Sequence, residues 1–506
     1  MPAEVERQGE EGERLDPKTE AILDDKGFFG HPRGVGALSL GTLCNSFAWG
    51  AVYAVLIYYL YSPFTKGLGF TEGQAGTIIS AMGAMNSLFV IVGSWLSDRV
   101  MGPKRALVLG NLLKAIAFGL LAIPAPTLEL GRVLGITGVI LMGLPIMGAS
   151  NPSLLGMLYR RGDHARRDAG YTINNTMNAV SGVVAPILVG NLAANNYHIG
   201  FAVGAVWALL YGLVIFVFRH KFFGDIGERP ARPLSRAEAG RIGKVVAIVA
   251  VVAVAVLAVT ISTGTLTFDG VINVLTTVSF VIPIAFLAQL FRNKRVTAQE
   301  HANLKPFLRI WLVYVVVMIA STLINSAIAI FVDTQVDRTL LGFEFAPATF
   351  TTIYNAFGIV AGPVFVWLWS TKFGRRVGTA EKFGSGILWY ALGYLMLSFP
   401  VILAMQGKVS PLLPILYYLF MTVGDTMVFP IGLSVTSRLA PKSYETQMQS
   451  AWAQATTIAN AVCMILMNFF PTAESQLMIF PIMTVVLVVV GAIVMARAKS
   501  IDAELV

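Results

Sequence analysis

Apolar runs of about 20 residues, the length a helical membrane crossing needs, follow one another from Ala37 almost to Arg497. Fourteen runs are distinguishable: 37–61, 74–96, 106–125, 131–151, 170–193, 200–218, 245–264, 271–291, 307–331, 347–369, 381–404, 411–435, 446–470 and 474–496. They are too long for barrel strands and lack the apolar–polar alternation of such strands. The pattern therefore predicts an all-α membrane protein, with short connections making consecutive helices antiparallel neighbours. The longest polar interval, "RHKFFGDIGERPARPLSRAEAGRIGK" (219–244), is a Pro- and Arg-rich linker. No stretch is large enough for a soluble catalytic domain. The expected organisation is a tail (1–36), a six-helix bundle (37–218), a linker with two inserted helices (219–306), a second six-helix bundle (307–497) and a short tail (498–506).

Composition agrees with this reading. Of 506 residues 56% are hydrophobic and 13% charged, with mean hydropathy +0.70, far less polar than a soluble chain of this length. The net charge of +9 would suit nucleic acid, but its placement excludes that partner. Lys and Arg gather in every second loop: Arg99 to Arg105, Arg160 to Arg167, Arg219 to Lys244, Arg292 to Arg309, Lys372 to Lys382, and Arg438 with Lys442. The intervening loops ("NNYHIG", "GTLTFDG", "PTAES") carry almost none. This bias puts both termini in the cytoplasm. The opening "MPAEVERQGEEGERLDPKTE" has no apolar core and reads as a disordered cytoplasmic tail rather than a signal peptide. Cys44 and Cys463 sit within apolar runs as packing residues, and all five histidines fall in loops or at helix ends. Without a nucleophile–base pair, metal-ligand spacing or phosphate loop, the chain is not expected to be an enzyme, to hold a cofactor or metal, or to use ATP.

An internal repeat divides the chain. In "GSWLSDRVMGPKR" (93–105) and "WLWSTKFGRR" (367–376), Trp-Leu precedes a Gly by seven residues and a basic pair follows. Related halves with a binding site between them are a recurrent transporter plan. The first segment resembles the loop between helices 2 and 3 of the major facilitator superfamily, in which Asp98, Arg99 and Arg105 would make charged gating contacts at the cytoplasmic helix ends. "FFGHPRG" (28–34), "YRRGDHARRDAGYTI" (159–173), "APILVG" (185–190), "GFEFAPATFTTIYNAFGIVAGPVFVWLW" (342–369) and "GDTMVFPIGLSVTSRLAPKSYETQMQSAW" (424–452) resemble the proton-dependent oligopeptide transporter family. The resemblance covers nearly the whole chain after the tail. It implies two six-helix bundles plus two inserted helices, in a monomer of the bacterial plasma membrane.

The chain departs from that family where the family keeps its charges. The family's first helix usually carries Glu-x-x-Glu-Arg-Phe-x-Tyr-Tyr and a further Arg; aligned on Phe47 and "YYL" (58–60), those charged positions hold Thr42, Asn45, Ser46 and Tyr53. The helix-4 Lys falls at Gly148, the Glu-Gln after the insertion at Thr322 and Leu323, and the helix-5 Asn at Ala179, beside Asn178. A charge near the bilayer centre costs from about 3 kcal/mol upward, and removing one partner of a buried pair is worse than removing both. Loss of both signs together reads as a rebuilt polar site.

One acid survives. The family's helix-10 Gly-Glu, which helps bind the peptide amino group, corresponds to Gly424-Asp425. At a rise of about 1.5 Å per residue, Asp425 lies about 20 Å from Arg438, near mid-membrane. Asp425 can carry the coupling proton, pair with a cationic substrate group, or serve as a protonated structural acid. By motif position Asn45, Tyr53, Asn174, Asn175, Asn178, Asn325, Asn355 and Trp452 would face the cavity, although an intramembrane Asn also joins helices. Lys114, about 14 Å from Arg105, reads as a snorkelling or locally paired lysine, with a replacement counter-charge as the alternative.

The resemblance implies alternating-access transport of di- and tripeptides or peptide-like amino-bearing solutes with proton coupling, for which Asp425 is the main titratable cavity residue. Alternatives are an uncoupled facilitator, a carrier of another polar solute, and a non-transporting sensor. The expected partners are that small substrate, protons and the lipid bilayer.

Overall fold

A computed structural model describes residues 16–504, except 146, 149, 161–162, 231–232, 245–261, 264–266, 293–297, 341, 373, 375, 404–406 and 440–444. The expected span 245–264 lies almost wholly outside the described residues. After a short α1 (Pro17–Leu23), the first bundle comprises α2 (Arg33–Tyr61), α3 (Glu72–Leu96), α4 (Pro103–Ala122), α5 (Leu128–Met142), α6 (Ser150–Met157), α7 (His164–Leu192) and α8 (Tyr197–Phe223). An inserted helix, α9 (Phe268–Phe291), precedes α10 (Ala298–Thr322) and α11 (Ala327–Thr334). There follow α12 (Pro347–Ser370), α13 (Thr379–Ile402), α14 (Leu412–Leu439), α15 (Glu445–Phe469), α16 (Ala473–Gln476), α17 (Ile479–Ala496) and α18 (Ala498–Glu504). Among the described residues, eleven helices are long and apolar enough to cross a membrane.

Two expected spans are broken. The run 131–151 is helical only to Met142; Pro145 lacks the N–H a continuing helix requires, Gly148 takes φ +45°, and α6 starts afresh at Ser150. The run 307–331 passes through a 3₁₀ turn at Leu323–Asn325 and resumes as α11 after Ser326. The helices-only expectation also needs a small amendment. Thr339–Leu340 (β1) and Phe343–Glu344 (β2) form an antiparallel hairpin, turned at Gly342 with φ +82°. It lies in a loop, where the limits on membrane-crossing strands do not apply.

The repeat is visible in the packing. In the first half α2 packs on α7, α4 on α8, and α4 on α5; in the second α10 packs on α15, α13 on α17, and α13 on α14. Each half encloses its own core, one around Phe47, Leu56 and Phe118 and the other around Trp311, Tyr394 and Phe480. Outward faces stay apolar: Leu188, Val206, Leu213, Val360 and Val485 are all more than half exposed. A surface of that kind suits lipid rather than water. The chain has the architecture of a multi-pass membrane protein built from two similarly packed halves.

The halves meet through two helix pairs, α3 with α15 and α7 with α12. Glycine permits the first approach: a Cβ on Gly73 would lie 2.5 Å from Pro471 Cα, and one on Gly76 2.4 Å from Met467 Sδ. These contacts lie at the end remote from α1 and α18. At that same end Tyr61 donates to Asp333, which pairs with Arg338 at 3.5 Å. At the opposite end the linker after α8 is tied to the α3–α4 turn. Lys104 reaches Glu228 at 2.8 Å, Arg105 reaches it at 3.0 Å, and Arg99 pairs with Glu238 at 3.1 Å.

Candidate functional site

One wall of the candidate site belongs to the first bundle. Asn45, Trp49 and Tyr53 recur every four residues on α2 and so share a face. Trp49 stacks on Tyr53 with centroids 5.5 Å apart. Beside them the Ser46 hydroxyl donates to Asn178 Oδ1 on α7. Nearer the chain termini, Thr42 donates to Asn174 Oδ1 at 2.7 Å, and Asn151 donates to Thr42 at 3.2 Å and to Tyr211 at 2.5 Å. Two of the positions where the family carries charge, Thr42 and Ser46, thus enter networks of neutral partners.

The second bundle supplies the acid. Asp425 on α14 is 7% exposed and accepts from two hydroxyls, Tyr354 of α12 on Oδ2 and Tyr390 of α13 on Oδ1. Gly424 makes this possible, because a Cβ there would stand 2.4 Å from the Tyr390 ring. An ionised carboxylate has about four lone-pair sites, so two donors leave capacity for a ligand. Thr422 anchors α14 to α12 by donating to the Tyr354 carbonyl at 3.3 Å.

Between the walls lies a cavity of about 520 Å³, lined by Asn45, Ser46, Trp49, Asn178, Tyr354 and Asp425, among others. A second hollow of about 410 Å³ continues from it past Tyr53, Thr322 and Asn325. Gly182 and Asn355 border both, and Asn355 Nδ2 donates to the Gly182 carbonyl at 2.8 Å across the two bundles. That bond is a neck between the hollows.

The expected site residues therefore divide. Asp425, Asn45, Asn178 and Asn355 line the first hollow, and Tyr53, Asn325 and again Asn355 line the second. Asn174 belongs to the network behind the wall, and Asn175 is exposed and lines neither hollow. Trp452 is buried in the second core, stacked on Tyr314 at 4.1 Å, with Gly432 leaving room for its ring. Of the loop residues, Arg99 and Arg105 bind the linker, while Asp98 is exposed and joins no ion pair among the described residues. Sequence reasoning missed Tyr354, Tyr390 and Trp49 as neighbours of the acid and cavity. Tyr354 stands beside a selected Asn, but nothing local in "GILWYALGY" singles out Tyr390.

Lys114 does not snorkel. It is 7% exposed, and its ammonium donates to Asn45 Oδ1, lying 5.6 Å from the Trp49 ring centroid.

Comparison with known proteins finds a family model, relatives by sequence and solved structures that match the chain. Residues 104–484 match the model of the POT family. The chain is 31% identical over 485 residues to the uncharacterized transporter YclF of Bacillus subtilis, covering 95% of this chain and 96% of that one. It is 28% identical to a di-/tripeptide transporter of Lactococcus lactis subsp. cremoris, covering 94% and 97%. Among solved structures, a peptide transporter POT in complex with sulfate superposes with TM-score 0.90 at 29% identity, covering 96% and 99%. A POT family transporter in complex with 5-aminolevulinic acid gives TM-score 0.88 at 27% identity, covering 96% and 99%.

Proposed function

Since the chain belongs to the POT family, we propose that it carries di- and tripeptides, or peptide-like amino-bearing solutes, across the membrane by alternating access between its two bundles. One observation carries this reading. A buried carboxylate, Asp425, lines a cavity between the bundles while two tyrosyl hydroxyls hold both of its oxygens. A carboxylate so placed accepts a substrate ammonium, and it takes up a proton when no cation is present to balance it. Inward proton flow then drives accumulation, with both termini in the cytoplasm as the loop charges favour.

The α3–α15 contacts at the end remote from the termini support reading this arrangement as inward-facing. Moving between states requires parting α3 from α15 and α7 from α12. The Asn355–Gly182 bond and the Tyr61–Asp333 contact are interactions that break in that step.

A second reading, an uncoupled facilitator, is favoured by the neutral residues Thr42, Asn45, Ser46 and Tyr53 at the family's charged positions. Uptake of labelled dialanine into proteoliposomes, with and without an inward pH gradient, separates the two. Accumulation above the external concentration only under the gradient supports coupled transport. Equilibration at the same level in both conditions supports the facilitator, and no flux contradicts both.

A further inference from the structure

Lys114 lies on α4, outside the set of residues selected from the sequence as cavity-facing, and it is buried behind the cavity wall, where its ammonium donates to the lining residue Asn45. Among the described residues it joins none of the ion pairs. Its neighbours are Asn45 Oδ1, Asn111 Oδ1 at 3.5 Å, Met147 Sδ at 4.0 Å and the Trp49 ring. A buried ammonium without an ionised partner is costly, and these neutral acceptors offset only part of that cost.

Hydrogen-bond chemistry fixes the consequence for Asn45. An ammonium has donors only, so the Asn45 carbonyl must turn toward Lys114 and its amide N–H groups away from it. Asn45 lines the 520 Å³ cavity, and its exposed amide therefore presents donors there. Asn178 Oδ1 is likewise occupied, by Ser46. Opposite stand the acceptor oxygens of Asp425, and Asn355, whose amide nitrogen is engaged by Gly182 and Thr351. The first-bundle wall thus presents amide donors with the Lys114 ammonium behind them, and the second-bundle wall presents the Asp425 carboxylate.

Building on the transport reading above, we propose that Lys114 is a positioning residue for the carboxylate end of the cargo, acting through Asn45. It orients the Asn45 amide as a donor and supplies the positive field that balances the anion.

The test uses the full chain in proteoliposomes, with labelled dialanine as the transported probe. Unlabelled dialanine and dialanine amide, which lacks the carboxylate, serve as competitors. In the unsubstituted protein dialanine competes better than the amide by about tenfold or more, as expected for hydrogen bonding to a charged group. The ratio is taken within each variant, so a loss of folded protein cancels. Lys114→Met brings it toward one. Asn45→Asp, which keeps the lysine and neutralises it by an ion pair, brings it to one or reverses it. A merely structural lysine would lower uptake with the ratio intact, and an unchanged ratio in either variant overturns the proposal. Absence of any dialanine uptake by the unsubstituted chain would instead overturn the transport reading and this inference with it.

Discussion

Asp425 shows how much a single residue revealed before the fold was known. Depth in the helix and the match of Gly424-Asp425 to the family's Gly-Glu motif selected it, because an acid at mid-membrane is costly and must be answered by something. What answers it was not legible. The answering hydroxyls come from α12 and α13, 71 and 35 positions away, and only the fold joins them. Removing one leaves a buried acceptor short of a donor to a charged group, worth roughly 1.5–3 kcal/mol. Tyr390→Phe should accordingly lower the unfolding midpoint of the purified protein and weaken dialanine uptake. Unchanged values of both would show that the hydroxyl contributes nothing. Trp452 teaches the converse: motif position pointed to the cavity, but an aromatic of its size finds more contact in the core against Tyr314 and Phe307.

Among the elements, apolar length located the helices well because lipid leaves the backbone few options. It did not locate their interruptions. Pro145 and Gly148 carry a local signal that length alone overrides, whereas the turn at Leu323–Asn325 has no proline or glycine to mark it. Close helix approach was equally hidden, since a glycine reads the same whether it faces lipid or a neighbouring ring. Gly424→Ala should cost about 1–3 kcal/mol by overpacking against Tyr390, seen as a lower thermal midpoint together with impaired uptake. At the seam between α3 and α15, Gly73→Leu should hinder closure at the end remote from the termini. A cysteine at 62 should then react faster with a membrane-impermeant thiol reagent added to that side, and an unchanged rate would mean that the seam does not control closure.

At the scale of the molecule, the two halves were legible from the Trp-Leu…Gly repeat and the charge alternation, and their packing repeats accordingly. The linker's role was not, because ion pairs between segments more than a hundred residues apart leave no local trace. The Lys104 ammonium beside Glu228, with Arg105 next to it, holds that carboxyl below the usual glutamate range. A depressed carboxyl contributes its stability fully above its unfolded value and loses it as pH falls through the folded one. Docking of the linker should therefore persist at neutral pH and loosen in acid. Hydrogen-exchange protection of the Leu234 amide, which donates to the Arg99 carbonyl, reports it. Glu228→Gln should show the acid-loosened level already at neutral pH, and equal protection in both proteins would remove the carboxylate from the account. α9 packs against both α3 and α15, so it rides on the seam that must open and close during transport.

The central claim is that one carboxylate in the cleft couples cargo to its driving force. The most direct measurement compares dialanine accumulation by the unsubstituted protein and by Asp425→Asn, reconstituted at equal density under the same inward pH gradient. The account predicts accumulation above the external concentration in the first and none in the second. Equal accumulation by Asp425→Asn would contradict it.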